Sequence, residues 1–129
     1  MTRIAIKRVY EPATDTDGLR VLVDKLWPRG IRKEALHYDL WAKEIAPPPG
    51  LRTWFHAAPG ERWEEFRRRY TAELRSSPAV RDFVRRIAGK GTVTLLYASK
   101  SAAGNHALIL QEYLAHATAA EEVTNARYS

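Results

Sequence analysis

A chain of 129 residues has the length of one compact domain, and 45% hydrophobic with 28% charged residues is an ordinary globular mixture that argues against disorder. It has no cysteine, which excludes disulfides, thiolate zinc sites and a cysteine nucleophile. The net charge of +6 favours anionic partners in general without choosing among them.

The segment Met1 to Lys7 lacks the apolar stretch of a secretion signal, and nowhere do about eighteen apolar residues run together to span a bilayer. A cytoplasmic address and no membrane partner are therefore expected. Ile4 to Val9 is rich in β-branched residues and runs into Glu11-Pro12 and an Asp/Thr/Gly loop, which predicts a first strand. Arg20 to Leu26 is ambiguous, because Leu19, Leu22, Val23 and Leu26 also fit a helical face. Its short length, the preceding Gly18 and the Pro28-Arg29-Gly30 stop favour a buried second strand.

Residues 34 to 45 predict a short helix, followed by Pro47-Pro48-Pro49-Gly50 as a stiff extended connector. Leu51 to His56 adds another turn or two. Pro59 opens a helix with Trp63, Phe66, Tyr70 and Leu74 along one face and Arg67, Arg68 and Arg69 turned outward. Ser77-Pro78 starts another, with Val80, Phe83, Val84 and Ile87 at helical spacing before Gly89. Thr92 to Tyr97 is the clearest strand, and Gly104 to Ala117 reads as a helix lying against the sheet. The expected organisation is one α/β domain over 1–117 and a frayed or partly helical tail over 118–129. Strands separated by helices imply a small Rossmann-like, three-layer domain with a mostly parallel sheet of about three strands.

In open parallel sheets, ligands bind beyond the carboxyl ends of the strands. All three ends carry polar or aromatic residues: Arg8 and Tyr10; Asp24, Lys25, Trp27 and Arg29; then Tyr97, Ser99, Lys100, Asn105 and His106. The stretch Tyr97 to His106 has small residues, a helix opening and the charge of Lys100, the makings of an anion site, although no standard nucleotide fingerprint is present. Asp24 is a candidate base, nucleophile or metal ligand, or else a structural ion pair with Arg29 or Arg8. His106, in a first helical turn, is a candidate neutral base or a capping residue. Trp27, Trp41 and Trp54 read as core aromatics, one of which could stack a base or sugar. His37, His56 and His116 show no metal-ligand spacing, so neither metal nor cofactor is expected.

The blocks Arg8-Val9-Tyr10-Glu11-Pro12, Arg20 to Leu26 with Trp27-Pro28-Arg29-Gly30, Leu40 to Pro47, Leu51 to Phe55, Trp63 to Tyr70 and Thr92 to Ala98 resemble the YeaO-like family of uncharacterised proteins, filed as domain of unknown function 488. The resemblance spans nearly the whole chain and implies a Rossmann-like α/β domain with no settled activity. It also implies a shared polar set of Asp24, Arg29 and His106, since family members carry an Asp before a Pro-Arg pair and open the last helix with Cys-His-Arg. Here Asn105 stands at the Cys position and Ala107 at the Arg position, which tells against a thiol-based role.

The resulting expectation is a small anionic ligand, phosphate- or nucleoside-containing, held by Arg8, Tyr10, Trp27, Arg29, Tyr97, Lys100 and Asn105. Asp24 and His106 would do any acid/base hydrolase or transferase chemistry. Whether the chain is an enzyme is open. The alternative partner is nucleic acid, met by Arg67, Arg68, Arg69, Arg85 and Arg86 on a basic helical surface.

Overall fold

In the computed structural model, which describes residues 1–101 and 104–128, four strands run parallel in the order β1-β4-β2-β3. They are β1 (Arg3–Arg8), β2 (Leu19–Leu22), β3 (Leu40–Trp41) and β4 (Thr92–Tyr97). Three helices lie between β3 and β4, namely α1 (Pro49–Ala57), α2 (Pro59–Ser76) and α3 (Pro78–Ile87), and α4 (His106–Tyr128) follows β4. The fold is a small Rossmann-like, three-layer α/β arrangement, with one strand more than the sequence suggests.

β4 takes an inner position with both faces covered, Val93 to Tyr97 all being buried. Val93, Leu95 and Tyr97 join the cluster formed by the buried faces of the helices, including Phe55, Phe66, Tyr70, Val84 and Leu110. Leu96 on the opposite face joins Leu22, Val9 and Leu36. That second face is covered by the segment between β2 and β3, whose Trp27, Ile31 and Tyr38 pack on it. The inner stripes read from helical spacing in α2 and α3 are the ones buried, with Trp63 half-buried at the edge of the core.

The helix expected over 34 to 45 does not form. The Leu36 and Leu40 spacing suits a helix, but Asp39 ties this segment to β2: its carboxylate accepts from the Arg20 N–H at 2.8 Å and its own N–H donates to the Arg20 carbonyl at 2.8 Å. Leu40 and Trp41 then pair with Val21 and Leu22 as β3, and a 3-10 turn, Lys43–Ile45, follows. Tertiary pairing has overridden a weak local preference. The proline run is not all extended connector either, because Pro49 and Gly50 already belong to α1, where a proline at the first position costs no hydrogen bond.

Beyond residue 117, α4 continues as helix to Tyr128. Thr118 is fully buried, the Glu122 carboxylate accepts from the Thr2 hydroxyl, and Glu121 lies 4.0 Å from Arg85. These contacts supply the anchorage that an amphipathic stripe would otherwise signal. Among the described residues no helix is long and apolar enough to cross a membrane.

Gly18 sets where β2 begins. Its φ is 64°, and a Cβ there would lie 2.1 Å from the Thr92 carbonyl oxygen, so only glycine lets the chain enter beside β4. Just before it, Asp17 is buried on the second sheet face with Lys7 and Arg20 around it.

Candidate functional site

A cavity of about 340 Å³ opens beyond the carboxyl ends of the strands, between the loop after β2 and one face of α1. Segments far apart in sequence build it, three of them supplying most of its polar groups. The β2 loop contributes Asp24, Lys25, Trp27 and Arg29; α1 contributes Arg52, Phe55 and His56; the start of α4 contributes Asn105 and His106. Register explains the meeting: Leu22 pairs with Leu96 and with Trp41, so the chain just past β2 lies beside the chain just past β4. The Ala98 N–H accordingly donates to Asp24 Oδ2 at 3.0 Å, and the Trp41 indole donates to the Asp24 carbonyl at 2.7 Å.

Asp24 and His106 are neighbours, with His106 Nε2 3.4 Å from Asp24 Oδ1. Oδ1 is enclosed and makes no hydrogen bond, so the carboxylate is half satisfied. Burial raises its pKa, against the opposing influence of His106, the Ala98 N–H and Arg52. His106 Nε2 also lies 3.0 Å from the Val23 carbonyl oxygen. A carbonyl can only accept, so Nε2 carries the proton. Burial lowers the His106 pKa despite the carboxylate beside it, which favours the neutral ring. Tyr70 supports that ring from below in a T-shaped contact with centroids 6.3 Å apart, and its hydroxyl donates to the Ile45 carbonyl. Burial and then Arg52 push His56 down as well.

The candidate residues separate into groups. Tyr10, Asp24, Trp27, Arg29, Asn105 and His106 share the cavity. Trp27 and Asn105 use their polar atoms internally: the Trp27 indole donates to the Ile31 carbonyl at 2.6 Å. The Asn105 amide donates to the Ser101 carbonyl at 2.8 Å, and its oxygen accepts from the Leu108 N–H at 3.2 Å, capping α4. Arg8 stands outside the lining, with Nε donating to the Ser99 carbonyl at 3.0 Å and its guanidinium 4.6 Å from the Tyr10 ring centroid. It braces the β4–α4 loop. Tyr97 is buried in the helix-side core and Lys100 is exposed away from the lining. Ala102 and Ala103, within the expected anion-binding stretch, lie outside the described residues.

Sequence reasoning missed Arg52 and His56. They sit four apart on α1 and so share a helical face, which was the available signal. With Lys25 and Arg29, Arg52 completes three cations around the cavity. None of their charged groups makes a hydrogen bond or ion pair among the described residues, and Asp24 is the one carboxylate in the lining.

A family model described as the inactive DUF488-N3 subclade matches residues 3–129. The uncharacterized protein YeaO of Escherichia coli (strain K12) is 46% identical over 111 residues, covering 86% of this chain and 96% of that protein. The uncharacterized proteins Rv3073c of Mycobacterium tuberculosis and Mb3100c of Mycobacterium bovis are each 42% identical over 113 residues, covering 88% of this chain and 94% of theirs. No solved structure matches. Similarity over nearly the full length therefore shows that the chain belongs to the YeaO-like DUF488 family, within the subclade described as inactive DUF488-N3.

Proposed function

We propose that the cavity beyond the strand ends binds a small anionic ligand, phosphate- or nucleoside-containing, and that it serves as a binding site rather than a centre of turnover. The observation that carries this reading is the trio of unpaired cations, Lys25, Arg29 and Arg52, around a cavity whose lining holds a single carboxylate. A volume of about 340 Å³ falls at the small end of ligand pockets, which run to roughly 300–1,000 Å³. Two further points favour binding without chemistry: the subclade is described as inactive, and Asn105, at the position where the resemblance places a cysteine, is committed to capping α4.

The basic helical surface supports a nucleic-acid partner less well. Arg67 pairs with Glu112, Arg68 and Arg69 pair with Glu65, and Arg85 approaches Glu121, so most of its charge is already answered.

Thermal melting in the presence of inorganic phosphate, a nucleoside monophosphate and a sugar phosphate tests the reading. A ligand at about 100 times its Kd stabilises the fold by about 2.7 kcal/mol. At least one of these should raise Tm in the wild type, and Arg29→Ala combined with Arg52→Ala should cancel the shift. An unchanged Tm with all three, or a shift that survives the double substitution, would overturn it.

A further inference from the structure

His106 has two ring nitrogens, and the fold uses only one. Nε2 is held by the Val23 carbonyl at 3.0 Å with Asp24 Oδ1 behind it at 3.4 Å, so the proton of the neutral ring is committed there. Nδ1 makes no hydrogen bond among the described residues, and it is not among their enclosed, unpartnered polar atoms. It is therefore the accessible nitrogen of a residue that lines the cavity, and it presents a lone pair. The same cavity carries the unpaired cations Lys25, Arg29 and Arg52 and the half-satisfied Asp24. An anion drawn in by the cations thus shares the cavity with an acceptor backed by a carboxylate.

Resting on the anion-binding reading, we infer that the cavity selects anions that carry their own O–H donor, hydrogen phosphate, singly protonated phosphomonoesters or hydroxycarboxylates, because His106 Nδ1 must receive a proton from the ligand. A fully deprotonated anion such as sulfate would satisfy the cations but set an oxygen lone pair against the nitrogen lone pair, with no proton between them. An anion with a hydroxyl donates to Nδ1 and keeps its charge toward Arg29 and Arg52. The Val23 carbonyl makes the selection possible, since without it the ring could turn its proton outward and accept any anion.

Isothermal titration of the full chain at neutral pH with two matched pairs of probes decides the matter. Each pair differs in its O–H donor: phosphate against sulfate, and glycolate against acetate. The expected result is binding of phosphate or glycolate tighter than its partner by about tenfold or more. The pair that shows the preference identifies the phosphate or the hydroxycarboxylate source. His106→Phe, which keeps a ring against Tyr70 but has no acceptor, should reduce the ratio to near one, and His106→Gln, which has an amide oxygen to accept, should restore part of it. Equal binding within both pairs in the wild type would overturn the inference while leaving an anion site in place. Absence of binding by all four probes would instead remove the anion site itself. Because the wild-type ratios decide, a variant that fails to fold does not rescue the idea.

Discussion

Asp17 and Asp24 stand at the two ends of β2, both shielded from solvent and both beside cationic or imidazole groups, yet the fold treats them in opposite ways. Asp17 is surrounded by donors: the Thr14 N–H at 3.0 Å, the Thr14 hydroxyl at 2.8 Å, Lys7 at 3.0 Å and the buried Arg20 guanidinium. Burial alone would raise its pKa, but these bonds together outweigh that and hold the carboxyl well below the usual carboxylate range. Asp24 has one backbone donor for two oxygens, and burial wins. A buried charge that is fully answered is a structural joint, whereas one left half answered at a cavity wall costs stability that only a ligand, a proton or a neighbouring ring can return.

The largest effect should come from breaking the satisfied end. Asp17→Asn leaves Arg20, 4% exposed, without its counter-charge, and loss of one partner of a buried pair costs about 3–5 kcal/mol. Urea unfolding would read this directly, and a loss below about 1 kcal/mol would mean that Asp17 is no joint.

A second, smaller effect is in the pH dependence. A carboxyl whose folded pKa is depressed gives stability that is fully present above its unfolded value of about 3.9 and is lost as pH falls toward the folded value. Wild-type Tm should therefore drop on acidification below about pH 4–5, and the Asp17→Asn protein should show a shallower acid limb from its lower starting point. Equal limbs in the two proteins would contradict the assignment.

The smallest effect is expected at the other end of β2. Asp24→Asn keeps an oxygen for the Ala98 N–H but removes a buried negative charge. Asp24 has a raised folded pKa, so the ionised wild type bears its penalty above that pKa and is relieved of it as pH falls and the carboxyl takes up a proton. The variant should thus equal the wild type in acid and match or exceed it at pH 8 by on the order of 1 kcal/mol, the scale of one unmade buried hydrogen bond. Thermal melts across that range would show a destabilised variant at pH 8 if Asp24 were a second structural joint.

Much of this frame was legible from residues alone, and the illegible parts have identifiable causes. Trp63, Phe66, Tyr70 and Leu74, or Val80, Phe83, Val84 and Ile87, declare their buried faces because a helix packed on one side imposes its own period. Asp24 and His106 could be paired in advance because strand ends in a parallel sheet share a rim. β3 could not be read, since two residues carry no period, and its partner β2 lies across a loop held by Asp39. Arg52 escaped notice for a similar reason: its four-residue spacing from His56 is a faint signal alone, and its role exists only once α1 is set against the β2 loop. Tyr97 is turned into the helix-side core by strand parity, which composition does not show, and Lys100 lies in the loop beyond the strand, outside the cavity lining.

The strand order β1-β4-β2-β3 has a bearing on how the molecule comes into being. The strand that joins β1 to β2 is the last of the four to leave a ribosome, so during synthesis the first strand has no ladder to enter until residues 92 to 97 emerge. Helices α1, α2 and α3 are made before the surface they will cover is whole. The pairings of β1 and of β2 with β4 then converge on one late event, which gives nascent chains an interval of exposed apolar surface and makes the central strand the place where folding is won or lost.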